Sequence, residues 1–218
     1  MKSMSKTVLI TGASRGLGRA LLDAFPSEYR FILNARNIEI PNLHKYKVII
    51  GDLRGRDTIS DLSEEAARQD VDILIHCAGA YQDYPSLCTD YDYIIDVNLV
   101  MPIHLTTAIW PIFERKHSGL IIFINSLAGK QGAAGETAYC ASKHGLAGFA
   151  RSLQFDAQRI GVRVLSVFLG AMKTDITKSR IDWDKLIDPQ EAAKAIVSLC
   201  EDYETMGFRE VEIGRVIY

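Results

Sequence analysis

Cysteine is scarce in this chain and poorly spaced for chemistry. The four cysteines, Cys77, Cys88, Cys140 and Cys200, form no CxxC or CxH pair. Neither a metal site nor a disulfide framework is therefore expected, and reduced thiols in a cytoplasmic setting are. Also missing is any apolar run near the ~20 residues that a membrane-spanning helix needs. Lys2 and Lys6 precede an apolar stretch that ends at Thr11, too short for a secretory signal. Charge of one sign is lacking as well. The net charge is −2 with 24% charged residues, which argues against nucleic acid or an anionic membrane surface as a partner. No internal repeat, low-complexity tract or Pro/Gly-rich linker interrupts the 218 residues, so one domain spanning 1–218, with its site included, is the expectation.

What the chain does have is a regular alternation. Apolar, β-branched runs at 7–10, 30–35, 46–50, 72–76, 119–125, 162–168 and 210–213 are separated by helical patterns near 16–26, 56–69, 89–115, 137–160 and 188–203. Strand–helix repetition of this kind predicts βαβ units, hence an α/β fold with a doubly wound parallel sheet between two helical layers. Runs such as Leu120-Ile121-Ile122-Phe123-Ile124 are apolar at successive positions, as strands covered on both faces should be. In such a fold the ligand lies at the carboxyl ends of the strands, where the strand order reverses.

The run Val8-Leu9-Ile10 leads into Thr11-Gly12-Ala13-Ser14-Arg15-Gly16-Leu17-Gly18. A strand entering a glycine-rich turn that opens a helix is a pyrophosphate cradle. Gly12 permits the tight turn, Gly16 removes a Cβ where a phosphate approaches, and Gly18 lets the helix pack on the strand. The helix N-terminus presents free N–H groups to the anion. About 20 residues further on, an acidic residue would grip the ribose 2′-hydroxyl of NAD. Arg36 stands there instead, with Arg15 in the loop. Two guanidinium groups suit a 2′-phosphate, so NADP(H) is favoured, NAD(H) stays the alternative, and Glu39 is the residue that would reverse the preference. Asp52 follows the third strand, suited either to an adenine amino group or to an N-cap, and Leu53 would pack on the ring. Ala78 and Gly79 close the fourth strand with small residues that let backbone approach a ribose, while His76 reads as structural.

Tyr139 and Lys143 are four residues apart, on one face of a helix. An ammonium beside a phenol should lower its pKa from about 10 toward neutrality, where a general acid or base works best. Ser126 ends the fifth strand, and its hydroxyl could polarise a substrate oxygen also held by Tyr139. Asn98 lies on the long preceding helix.

Together these elements resemble the short-chain dehydrogenase/reductases, in their main single-domain branch. TGxxxGxG falls at Thr11 to Gly18, YxxxK at Tyr139 and Lys143, the serine 13 residues before the tyrosine at Ser126, and the helix asparagine at Asn98. The resemblance runs from about residue 6 to 214. It implies an oxidoreductase interconverting a carbonyl and an alcohol, with Tyr139 as acid/base and Ser126 orienting the substrate. It further implies Lys143 on the ribose, Asn98 holding a water linked to Lys143, and Gly170, Met172 and Thr174 at the nicotinamide carboxamide. It also implies a homodimer or homotetramer, for which the small residues Ala138, Ala141, Gly145, Ala147 and Gly148 would allow close helix approach. The rival reading is a nucleotide-binding sensor or scaffold with little turnover.

Two segments depart from the family pattern. His76-Cys77-Ala78-Gly79 replaces Asn-Asn-Ala-Gly, and Leu169-Gly170 replaces Pro-Gly. The substrate-covering segment, about 175–188, is short. Lys173, Lys178, Arg180 and Lys185 stand near it, and Tyr81, Tyr84 and Tyr91 could line the entrance.

Overall fold

The structure is a computed structural model that describes residues 5–39, 42–81, 91–178, 180, 182–201, 203, 205 and 207–215, with the backbone alone at 43 and 176. Tyr84 and Cys88 thus lie outside the described residues. Strands β1 (Thr7–Thr11), β2 (Arg30–Ala35), β3 (Lys47–Ile50), β4 (Ile73–His76), β5 (Gly119–Ser126), β6 (Val162–Leu169) and β7 (Glu210–Ile213) form one sheet. All its pairings are parallel, in the order β3-β2-β1-β4-β5-β6-β7. The chain walks outward from β1 to β3, then returns to place β4 on the other side of β1. That reversal is the topological switch point at which such sheets open a crevice.

Successive strand residues point to opposite faces, and the sheet accordingly carries two cores. Val8 and Ile10 join the core under α1 (Gly16–Ala24) and α6 (Pro189–Glu201). Leu9 joins the core under α2 (Arg56–Arg68), α4 (Met101–Lys116) and α5 (Thr137–Arg159). The helix near 89–115 is realised as α3 (Tyr91–Ile95), a π turn at Asp96–Val100, and α4. Taken as one helix of 26 residues, Tyr91–Lys116 is long and apolar enough to cross a membrane by length and composition. Here its apolar residues are spent on the protein interior: Met101, Leu105, Ile109, Ile112 and Phe113 pack beneath the sheet.

Asn98 sits inside the π turn and is fully buried. Its Oδ1 accepts from the Ala80 amide at 2.8 Å, while Nδ2 donates to the Ala80 carbonyl at 2.8 Å and to Ser142 Oγ at 3.0 Å. Ser142 Oγ in turn donates to the Tyr139 carbonyl at 2.7 Å. One amide therefore fastens the segment after β4 to the first turns of α5. Replacing it strands a buried N–H and a buried C=O together, each costing about 1–3 kcal/mol. Asn98→Ala should lower the unfolding free energy by roughly 2–5 kcal/mol, read by urea denaturation, with the secondary structure of the surviving folded protein unchanged.

Candidate active site

The glycine loop runs along the switch point. Gly12 has φ +71°, and a Cβ there would lie 2.7 Å from the Ala78 Cα, so only glycine lets the loop after β1 touch the segment after β4. A Cβ on Gly18 would collide with the Gly12 carbonyl. Thr11 Oγ1 accepts from the Cys77 and Ala78 amides, both at 3.1 Å, and locks the two strand ends together. The first turn of α1 has neither an acidic residue nor a side-chain cap, which leaves its N–H groups and its positive dipole end for an anion.

In front of this loop lies a cleft of about 840 Å³. Gly12, Ser14, Arg15, Gly16, Leu17 and Gly18 line its middle, and Arg36, Asp52, Leu53, Ala78 and Gly79 one end. Ser126, Tyr139, Lys143, Gly170, Met172 and Thr174 line the other. Of the residues singled out from the sequence as site residues, Asn98 alone does not face it; its side chain is committed to Ala80 and Ser142 behind Tyr139.

At the end lined by Asp52 and Leu53, Arg36 Nη1 donates to the Tyr93 hydroxyl at 3.1 Å. Arg15 Nη1 meets Asp175 Oδ2 at 3.1 Å with both side chains about two-thirds exposed, a pair that contributes little and yields readily to a competing anion. Glu39 is exposed and outside the cleft lining. Asp52 corrects one expectation: it is not the N-cap of α2, a position that falls to Gly55. Its carboxylate instead accepts from the Arg54 amide at 2.9 Å and from Arg54 Nη2 at 3.0 Å, and that guanidinium holds its pKa below the ordinary carboxylate value. His76 is structural as read: Nε2 meets Thr106 Oγ1 at 2.8 Å, the ring stacks on Phe123, and burial pushes its pKa down to about 3.

At the other end, Tyr139 and Lys143 occupy the first turns of α5, and Ser126 ends β5. Lys143 is almost fully buried, and its Nζ donates to the Ile124 carbonyl at 3.0 Å. Burial pushes its pKa down to about 8. The sequence led us to expect a lowered phenol pKa; the structure reverses this. Burial pushes Tyr139 up to about 12, with the Ser126 hydroxyl pulling the other way and Glu136 adding to the rise. The ammonium, 5.7 Å from the ring centroid, is directed at Ile124 and does not offset the loss of water. At neutral pH Tyr139 is therefore a protonated phenol. Tyr81 packs edge-on against Tyr139 at 5.0 Å between centroids and donates to Glu136 Oε1 at 2.9 Å. Tyr91 instead bonds Thr137.

The covering segment is pinned at its base, where Met172 and Ile187 bridge and the Lys173 amide donates to the Ile187 carbonyl at 2.9 Å. Lys173 and Arg180 line the cleft, whereas Lys178 and Lys185 are exposed and do not. Arg180 is paired with Asp182, which also takes Arg215. Tyr93, Glu136 and Arg215 line the cleft too, and sequence reading missed all three. No motif announces them: Tyr93 comes in on α3, Glu136 immediately precedes α5, and Arg215 follows β7.

Keeping Lys143 charged inside the fold opposes folding. Below about pH 8 both folded and unfolded chains hold the proton and the full penalty applies. Between about 8 and the ordinary 10.5, the folded state releases it while the unfolded state keeps it, so stability rises with pH. Lys143→Met should therefore raise unfolding free energy at pH 7 by about 1–3 kcal/mol. Urea titrations at pH 7, 8 and 9 should show the wild type closing that gap as pH rises.

The family described as short chain dehydrogenase matches residues 6–185. The 3-oxoacyl-[acyl-carrier-protein] reductase FabG of Haemophilus influenzae is 30% identical over 220 residues, covering 90% of this chain and 91% of that protein. Among solved structures, a 4-hydroxyisoleucine dehydrogenase mutant complexed with NADH and succinate is 26% identical, with TM-score 0.86 over 96% of this chain and 97% of that one. ElxO with NADP bound shares the fold at 21% identity and TM-score 0.86, over 97% and 98% of the two chains. With one family matched across most of its length, this chain belongs to the short-chain dehydrogenases and is an oxidoreductase of that family.

Proposed function

We propose that this protein reduces a carbonyl compound to an alcohol, or runs the reverse, with NADP(H) as preferred cofactor and Tyr139 as the group that moves the proton. The observation that carries the reading is a protonated, half-buried phenol beside the Ser126 hydroxyl, in one cleft with an uncapped helix N-terminus and a glycine-rich loop. The residues fit such a cofactor. The loop Gly12–Gly18 would hold the pyrophosphate, and Arg15 with Arg36 the 2′-phosphate. Leu53, Ala78 and Gly79 would take the adenosine, Lys143 the ribose, and Gly170, Met172 and Thr174 the carboxamide. When bound, the reduced nicotinamide supplies the hydride.

The chain's own part is to orient and to protonate. Ser126 Oγ and Tyr139 Oη together hold the carbonyl oxygen, which draws electron density from the carbon that receives the hydride. As the C–H bond forms, the Tyr139 O–H proton passes to that oxygen and leaves an alcohol. The Lys143 ammonium, charged below about pH 8, stabilises the phenolate left behind. Asn98 acts through others, holding the turn from which Tyr139 projects. FabG being named a 3-oxoacyl reductase and a neighbour a dehydrogenase of a hydroxy amino acid both support carbonyl/alcohol chemistry.

We also infer a single-domain, cytoplasmic homodimer or homotetramer. Its support is the outward face of α5, where Phe155 is 64% exposed and a Cβ on Gly148 would meet nothing. The other small residues support it less than the sequence suggested: Ala138 and Ala147 are buried within the subunit, and Gly145 accommodates Leu99.

Tyr139→Phe removes one hydroxyl and keeps the ring. Turnover of an accepted carbonyl substrate should fall by roughly 10² to 10⁴-fold, while NADPH affinity, measured by nicotinamide fluorescence, stays within about a factor of two. Full turnover in the variant would refute the mechanism. Tight NADPH binding with no turnover of any carbonyl or alcohol by the wild type would leave a nucleotide-binding sensor instead.

A further inference from the structure

Arg36 follows β2, exposed, on a long flexible side chain. Among the described residues it makes no ion pair, yet it is not loose. Its Nη1 donates to the hydroxyl of Tyr93 at 3.1 Å. Tyr93 lies on α3, remote in sequence, and lines the same cleft as Arg36 and Asp52. On the other side, the Arg54 guanidinium sits over the Tyr93 ring at 4.8 Å from its centroid, itself held by the Asp52 carboxylate. The four side chains form a file, Asp52–Arg54–Tyr93–Arg36, that joins the ends of β2 and β3 to the start of the long helix. The acidic groups facing it are Asp52 and, acting on Arg54 through space, Asp96.

The kind of partner matters. A carboxylate would order Arg36 and cancel its charge, as Asp175 does for Arg15. A phenol hydroxyl orders the guanidinium and leaves its charge whole, with the remaining N–H donors of the planar fork free for a bidentate anion. Pre-ordering a rotamer-rich side chain removes an entropic cost that binding would otherwise meet.

Resting on the cofactor reading above, we propose that Tyr93 is a positioning residue for the 2′-phosphate. It holds Arg36 in a binding-ready geometry, Arg54 braces its ring, and the preference for NADPH over NADH depends on it. Arg36 touches the phosphate; Tyr93 acts only through Arg36.

The test needs no turnover. NADPH and NADH are titrated by nicotinamide fluorescence, and adenosine 2′-monophosphate by competition, into the wild type, Tyr93→Phe, Arg36→Gln and the double variant. Tyr93→Phe keeps the ring and its Arg54 contact and loses only the hydroxyl. It should weaken NADPH and adenosine 2′-monophosphate by about 3- to 10-fold, tenfold corresponding to 1.4 kcal/mol, and leave NADH within about twofold. In the Arg36→Gln background the same change should have no effect on NADPH. Tyr93→Leu, which also removes the ring under Arg54, should cost NADPH more than Tyr93→Phe does. An unchanged NADPH:NADH ratio in Tyr93→Phe, an equal loss of both cofactors, or an undiminished effect in the Arg36→Gln background overturns the proposal while the cofactor reading stands. A wild type that binds both cofactors equally overturns the cofactor reading and the proposal with it.

Discussion

Two stretches of backbone touch at the switch point, and the site is arranged around that contact. Where the loop after β1 passes the segment after β4, the Gly12 Cα lies so close to Ala78 that no side chain fits between them. Thr11 secures the approach by accepting two amides from the other strand end. With the backbones in contact, the α1 N-terminus faces the cleft and the segment from Cys77 to Ala80 forms part of its wall. Asn98 then grips Ala80 and reaches Ser142, so the position of Tyr139 is set through the same contact. The phosphate end and the chemical end of the cleft are parts of one clamp.

The end of the cleft at α5 combines half-buried Ser126 and Tyr139 with an almost fully buried Lys143. Lys143 and Tyr139 are both displaced by burial toward their neutral forms, in opposite directions on the pH scale. A surface pair at the same helical spacing would contribute a few tenths of a kcal/mol to the helix and nothing to catalysis. Buried, the ammonium opposes folding, and the fold tolerates it because the surrounding strands supply so much apolar burial. The protein is least optimised for stability at this end of its cleft.

Much of this was legible in the sequence. The β-branched runs located all seven strands, and the glycine spacing located the tight loop that lines the cleft, because both depend on short-range sterics. The i, i+4 spacing put Tyr139 and Lys143 on one face for the same reason. Reading failed where the deciding partner is remote. The phenol looked acidified by its neighbour, but the walls that dehydrate it come from elsewhere in the fold. Gly145 looked like a subunit contact, but Leu99 of the π turn fills the space. Tyr93 carried no motif at all; its meaning lies in two arginines from other strand ends.

The sequence distances inside the clamp bear on how the chain acquires its site. Thr11 bonds amides 66 and 67 residues downstream, and Arg15 reaches an aspartate 160 residues away. During synthesis the glycine loop is made early and meets β2 first, where the Ala13 amide donates to the Asn34 carbonyl; its contacts to Cys77 and Ala78 wait until β4 has followed. Its central strand must wait beside an open edge while the first βαβ units form on one side only. Parallel pairing at such separation closes long loops before contacts reward it, which makes assembly slow. The cleft is thus complete only when the two halves of the sheet have met across β1.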